Sequence, residues 1–222
     1  MAQPNFDFGA ILQKSWQIYL KNVATFIVSL IIFCVVIVAT AFIARLILGR
    51  LAGIALPVVQ GPLMVGFCGI ALSAARGGSP QIPNLFDGFK RFLPAFLTAL
   101  IIGIPSIIAT AAGNSLINIV MTIASLAFMF LFFLSYYFLS DKKIDVVPAL
   151  LSSQKTVVEG IGPWVILFII VFAMNFVGAI PCGIGLLVTV PLSLTALALA
   201  YDQVTGGGYS ISEAPAHEDY QA

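Results

Sequence analysis

Long apolar runs alternate with short polar segments along nearly the whole chain, and the period within the polar segments is helical. The segment Pro83-Asn84-Leu85-Phe86-Asp87-Gly88-Phe89-Lys90-Arg91-Phe92 sets the pattern. Leu85, Phe89 and Phe92 recur at i, i+4 and i+7, with Asp87, Lys90 and Arg91 opposite. This predicts a short amphipathic helix at a membrane surface, and an uncharged run follows it at once. Two other segments read the same way. Asn5 is the expected cap of a helix reaching about Asn22, with Phe8, Leu12, Trp16 and Tyr19 apolar and Gln13, Lys14, Gln17 and Lys21 wet. Trp16 and Tyr19 suit the headgroup level. Asp145 is the expected cap of the third, with Val147, Leu150, Leu151, Gln154 and Val158 along one side and Ser152, Lys155, Thr156 and Glu159 along the other.

Six spans lie between and after these segments. Residues 23–44 carry no charge over 22 positions, enough to cross a bilayer at about 1.5 Å per residue, and Arg45 and Arg50 close the run. Residues 51–75 are interrupted by Pro57 and by Gln60-Gly61-Pro62. Pro62 removes a backbone donor and disfavours helix at Gly61, so a kink or a late helix start is expected. A broken helix lining a cavity is the sharper reading; no charge accompanies the break, which favours a simple bend. The third span, 93–112, contains Pro105, and Gly113-Asn114 reverses the chain into a fourth, 115–140, with Tyr136 and Tyr137 at its exit interface. Trp164 anchors the fifth. After a turn at 178–183 the sixth, kinked at Pro191, runs to Tyr201. The candidate kinks are thus Gly61, Pro62, Pro105 and Pro191.

The predicted fold class is an all-α membrane protein of six transmembrane helices in three hairpins, each preceded by an interfacial helix on the cytoplasmic side. Residues 1–201 form one domain of three units (1–76, 77–140 and 141–201), and 202–222 form a polar, disordered tail. Lys14, Lys21, Arg76, Lys90, Arg91, Lys142, Lys143 and Lys155 fall on the side of both termini, and only Arg45 and Arg50 on the other. This bias places both termini in the cytoplasm of a bacterial inner-membrane, multi-pass protein.

Composition agrees and narrows the chemistry. With 60% hydrophobic and 9% charged residues and a mean hydropathy of +1.09, a soluble domain is excluded. A net charge of +1 gives no reason to expect nucleic acid as partner. Cys34, Cys68 and Cys182 read as apolar packing residues, and the one histidine, His217, sits in the tail. No catalytic set, metal site or cofactor motif appears, and the N-terminus lacks the features of a cleavable signal. No charge falls deep inside a span, which argues against ion-coupled transport. Gln60, Asn114, Asn118 and Asn175 are expected to bond between helices. Lys14, Lys21, Lys90, Arg91 and Lys155 are candidate contacts for anionic lipid at one headgroup plane.

The chain resembles bacterial six-span integral membrane proteins related to the membrane domain of glycerophosphodiester phosphodiesterases. The resemblance rests on the surface helix reaching Trp16, the Gly61-Pro62 step, Asn84-Leu85-Phe86-Asp87-Gly88-Phe89-Lys90, and Gly183-Ile184-Gly185 before Pro191 and Tyr201. It implies fold and location; the soluble phosphodiesterase domain is absent, so hydrolysis is not implied. The expected function is a non-enzymatic scaffold or accessory subunit working through lipid contacts, with membrane lipids, other membrane subunits or a second copy as partners. A small-solute or lipid transporter using the kinked second and sixth spans is the alternative.

Overall fold

The computed structural model describes residues 6–49, 55–112, 115–181 and 183–206, with the side chains of 110–112 excepted. Asn5, Arg50, Gly113, Asn114, Cys182 and the segment 207–222 lie outside it, so the expectations placed on them do not enter the description. Among the described residues the chain is helical without a strand. The elements are α1 (Phe8–Lys21), α2 (Val23–Leu48), α3 (Leu56–Ala75), a 3-10 helix (Ile82–Arg91), α4 (Phe92–Ala112), α5 (Ser115–Phe132), α6 (Ser135–Asp141), α7 (Val146–Glu159), α8 (Ile161–Ala179) and α9 (Leu186–Thr205). Six stretches are long and apolar enough to cross a membrane: α2, α3, the 3-10 helix with α4, α5 with α6, α8, and α9. The protein is an all-α membrane protein.

In a bilayer each backbone polar group must be satisfied within its own segment, so apolar runs of this length become helices whatever their order. Their packing is uneven. In α3 and α9, 67% and 61% of the most apolar window is buried inside the protein, against 6–22% for the other four spans. These two helices form the centre, joined by α6. The outer helices touch them along narrow strips. α2 is held mainly through Phe26, Ser29 and Leu30 near its start, and α5 has no buried residue along its length.

Several local expectations change. Asp7 caps α1, its Oδ1 accepting from Ala10 N at 3.0 Å. Asp145 precedes α7 but makes no side-chain cap bond. α3 starts at Leu56, well ahead of Pro62, and continues through it, so there is no late start. Gly61 and Pro62 lie buried within that helix, with Gly61 pressed against the backbone of Ala95. Pro105 and Pro191 likewise sit buried inside continuous helices, and Thr195 Oγ1 bonds the Pro191 carbonyl at 2.8 Å. The fourth span is not continuous: it breaks at Phe133-Leu134, where Ser153 Oγ of α7 donates to the Leu131 carbonyl at 2.8 Å.

Aromatic residues placed at the interface by sequence turn out to be core. Trp164 is fully buried, edge-on to Phe6 and Phe133. Tyr136 and Tyr137 are buried as well, Tyr137 stacking on Tyr201 and donating from its hydroxyl to the Leu194 carbonyl at 2.7 Å. Trp16, 45% exposed, keeps its outward position, whereas Tyr19 is buried. Cys68 is buried and Cys34 exposed.

Candidate functional site at the charged face

The second helix of each hairpin ends in a charge. Arg76 follows α3, Asp141 ends α6, and Asp202 lies in the last turn of α9. The three meet. Arg76 Nη2 and Nε donate to Asp202 Oδ1 at 2.7 and 3.1 Å, Nε also reaches Oδ2 at 3.1 Å, and Nη1 donates to Asp141 Oδ1 at 2.6 Å. Tyr201 Oη completes the set by donating to Asp141 Oδ2 at 3.0 Å. The Asp202 carboxyl is fully buried. A guanidinium presents a rigid planar fork, so one Arg can hold two carboxylates at once. Hydrogen bonds donated to Asp141 and Asp202 hold the Arg76 guanidinium above its ordinary range, so it stays charged.

This corrects one reading. Asp202 does not begin a polar tail, because α9 runs to Thr205 and ends at Gly206 with a left-handed φ of 69°. The reading that no charge falls deep inside a span stands, since the buried Asp202 carboxyl lies in the last turn of α9 and is paired. The available signal was that Arg76, Asp141 and Asp202 are each the first charge after a hairpin's second span, with opposite signs among them.

Beside this latch the segment 82–91 departs from its expected form. It is a ten-residue 3-10 helix, long for that geometry. With three residues per turn, side chains stack at i, i+3 and i+6. Leu85 and Gly88 therefore face α3 and are buried, with Arg91 next on that edge. Phe86, Phe89 and Phe92 point outward at 46, 39 and 41% exposure. Asn84, Asp87 and Lys90 form a ladder in which Asn84 Nδ2 and Lys90 Nζ bond Asp87 at 2.9 and 2.6 Å. The reason is close approach. A Cβ on Gly88 would collide with the Pro62 carbonyl oxygen, and one on Gly66 with that of Leu85, so the two backbones lie against each other. The α-helical wet face of Asp87, Lys90 and Arg91 is thus split, and Arg91 moves inward to 27% side-chain exposure.

A cavity of about 470 Å³ opens between α3, the 3-10 helix and α6. Its lining includes Lys90, Arg91 and Lys143, with Ser73, Ser79, Asn84 and Ser140 as polar groups. A second hollow of about 360 Å³ shares Gly69, Ser73 and Ser140 with it and reaches Arg76 and Asp141. Of the five predicted lipid contacts, only Lys90 and Arg91 come together here, joined by Lys143, which sequence did not single out. Lys155 is 68% exposed and lies 3.9 Å from Glu159, Lys21 is exposed on α1, and Lys14 is half-buried.

Deeper in the bundle, Asn175 bonds between helices as expected. Its Nδ2 donates to Ser193 Oγ at 2.8 Å, and its Oδ1 accepts from Thr189 Oγ1 at 3.1 Å. Gln60 and Asn118 are exposed and make no such side-chain bond among the described residues. No group of three or more His, Cys, Asp or Glu suited to a metal occurs among the described residues. Comparison with protein-family models, curated proteins and solved structures returns no match.

Proposed function

We propose that the protein is a non-enzymatic scaffold or accessory subunit of the bacterial cytoplasmic membrane, with both termini cytoplasmic and with lipid as part of its working surface. The observation that carries this reading is α5. It is the longer part of the fourth span, holds no buried residue, and is braced along its side by α4. Ile119, Val120, Ile123 and Leu126 stand 50–63% exposed on it. A helix so little engaged by its own chain offers most of its circumference to lipid or to another membrane protein. The charged groups support the same reading, since Arg76, Asp141 and Asp202 are spent on one another rather than presented as an acid and a base. The eight-to-two distribution of Lys and Arg supports the orientation, and the kinship with phosphodiesterase-linked membrane domains belongs to the same proposal.

The alternative, transport through α3 and α9, calls for free polar groups at mid-depth. The polar side chains Asn175, Thr189 and Ser193 between α8 and α9 bond one another instead. The test is cysteine placed at Ile119 or Ile123, followed by crosslinking in native membranes. Adducts to a second membrane protein or a second copy are expected. A strictly monomeric protein without adducts or retained lipid overturns the reading.

A further inference from the structure

We infer that the cavity between α3, the 3-10 helix and α6 is a binding site for the phosphate group of an anionic lipid. The inference deepens the lipid contact of the proposed function and rests on that part of it alone. Three cationic side chains line the cavity, Lys90, Arg91 and Lys143, against one lining carboxylate, Asp87, which is already taken up by Lys90 and Asn84. Asp145 is 3.7 Å from the Arg91 Nη2 and 86% exposed, so it holds the guanidinium loosely.

Donors for an anion are in place and unspent. The hydroxyls of Ser73, Ser79 and Ser140 and the ammonium of Lys143 have no hydrogen-bond or ion-pair partner among the described residues. Arg91 Nη1 is shielded from solvent and lacks an acceptor. A shielded donor without an acceptor is costly, so an anion that reaches this edge is bound more firmly than at a free surface arginine. Lys143 adds an independent sign: its φ of 52° makes it the non-glycine residue of positive φ among those described. Backbone strain of that kind persists where surrounding structure imposes it and tends to mark ligand clamps.

The surroundings indicate which phosphate. Phe86 and Phe89 of the 3-10 helix and Phe92 at the start of α4 lie exposed along the same segment whose Asn84, Asp87, Lys90 and Arg91 line the cavity. A headgroup seated on Arg91 and Lys143 would lay its acyl chains along those rings. A soluble phosphate has no use for them.

The test is retention of phosphatidylglycerol by the full-length purified protein, read by native mass spectrometry in mild detergent, with inorganic phosphate as the soluble arm. Wild type should keep a lipid that phosphatidylcholine does not replace. Arg91→Gln with Lys143→Gln should weaken retention roughly 5-fold per charge removed. Lys21→Gln with Lys155→Gln should leave it within about twofold. Lys143→Gly separates folding from binding: it relieves the left-handed backbone, so the melting temperature should rise while lipid retention falls. Equal losses from both double variants would reduce the site to diffuse surface attraction and overturn it. So would a Lys143→Gly protein that keeps its lipid. Stabilisation by inorganic phosphate with no lipid retained overturns the lipid source. Copurifying protein subunits are scored separately, so failure here leaves the scaffold reading to its own crosslinking test.

Discussion

Arg76 and Asp202 stand 126 residues apart in sequence, yet Arg76 Nη2 lies 2.7 Å from Asp202 Oδ1. The pair closes the first hairpin onto the third, and the Asp141 contact adds the second. Loss of one partner strands a carboxylate with no solvent around it. We expect Arg76→Gln to lower stability by about 3–5 kcal/mol. The double variant Arg76→Met with Asp202→Leu should recover part of that, because an apolar pair replaces the fully buried ionic one while Asp141 keeps Tyr201 and Lys142 beside it. Thermal unfolding in detergent measures both, and a double variant as damaged as the single one refutes the latch.

The backbone contact between α3 and the 3-10 helix depends on Gly66 and Gly88. A methyl on either meets a carbonyl oxygen of the facing chain rather than a side chain that can turn away. Gly88→Ala and Gly66→Ala should each cost about 1–3 kcal/mol, at the upper end of overpacking. Gly103→Ala, with nothing within 4 Å of the added Cβ, should be neutral or stabilising by up to about 1 kcal/mol. Equal stability across the three variants would contradict the contact.

Ser153 holds the break between α5 and α6 through its bond to the Leu131 carbonyl. Ser153→Ala should cost about 1–3 kcal/mol and loosen that junction first. Hydrogen exchange should show faster opening of amides in α6 with those of α3 unchanged. Uniform change across both helices would argue for a general packing defect.

The bonds of Asn175 to Thr189 and Ser193 join α8 and α9 in an environment where such contacts contribute modestly. Asn175→Leu should therefore shift stability by only about 0.6 kcal/mol. Lipid retention should stay at the wild-type level, and a large loss of it would point to a functional role for this network.

Much of the fold is legible from the chain itself. Uncharged runs such as 23–44 must become helices in a bilayer, since nothing else satisfies their backbone. The bias of Lys and Arg sorts the ends, and opposite charges at Arg76 and Asp141 are visible without coordinates. The partner of those charges was less legible, because Asp202 opens a polar stretch that reads as tail until α9 is seen to continue past it. Trp164, Tyr136 and Tyr137 carry a polar tip that suits either an interface or a core, and composition does not choose between the two.

The residues by themselves determined the class of the protein, six apolar helices with charge gathered at one face, because hydrocarbon tolerates only internally bonded backbone. Tertiary structure decided what the segment 82–91 is. An apolar stripe at i, i+4 and i+7 fits an α-helix on a surface, but Gly66 and Gly88 bring two backbones into contact and the segment winds with three residues per turn. That change of period turns Arg91 from the wet face towards the cavity, beside Lys143. Local sequence holds the spacing of side chains; only the facing helix sets which period the spacing is read in.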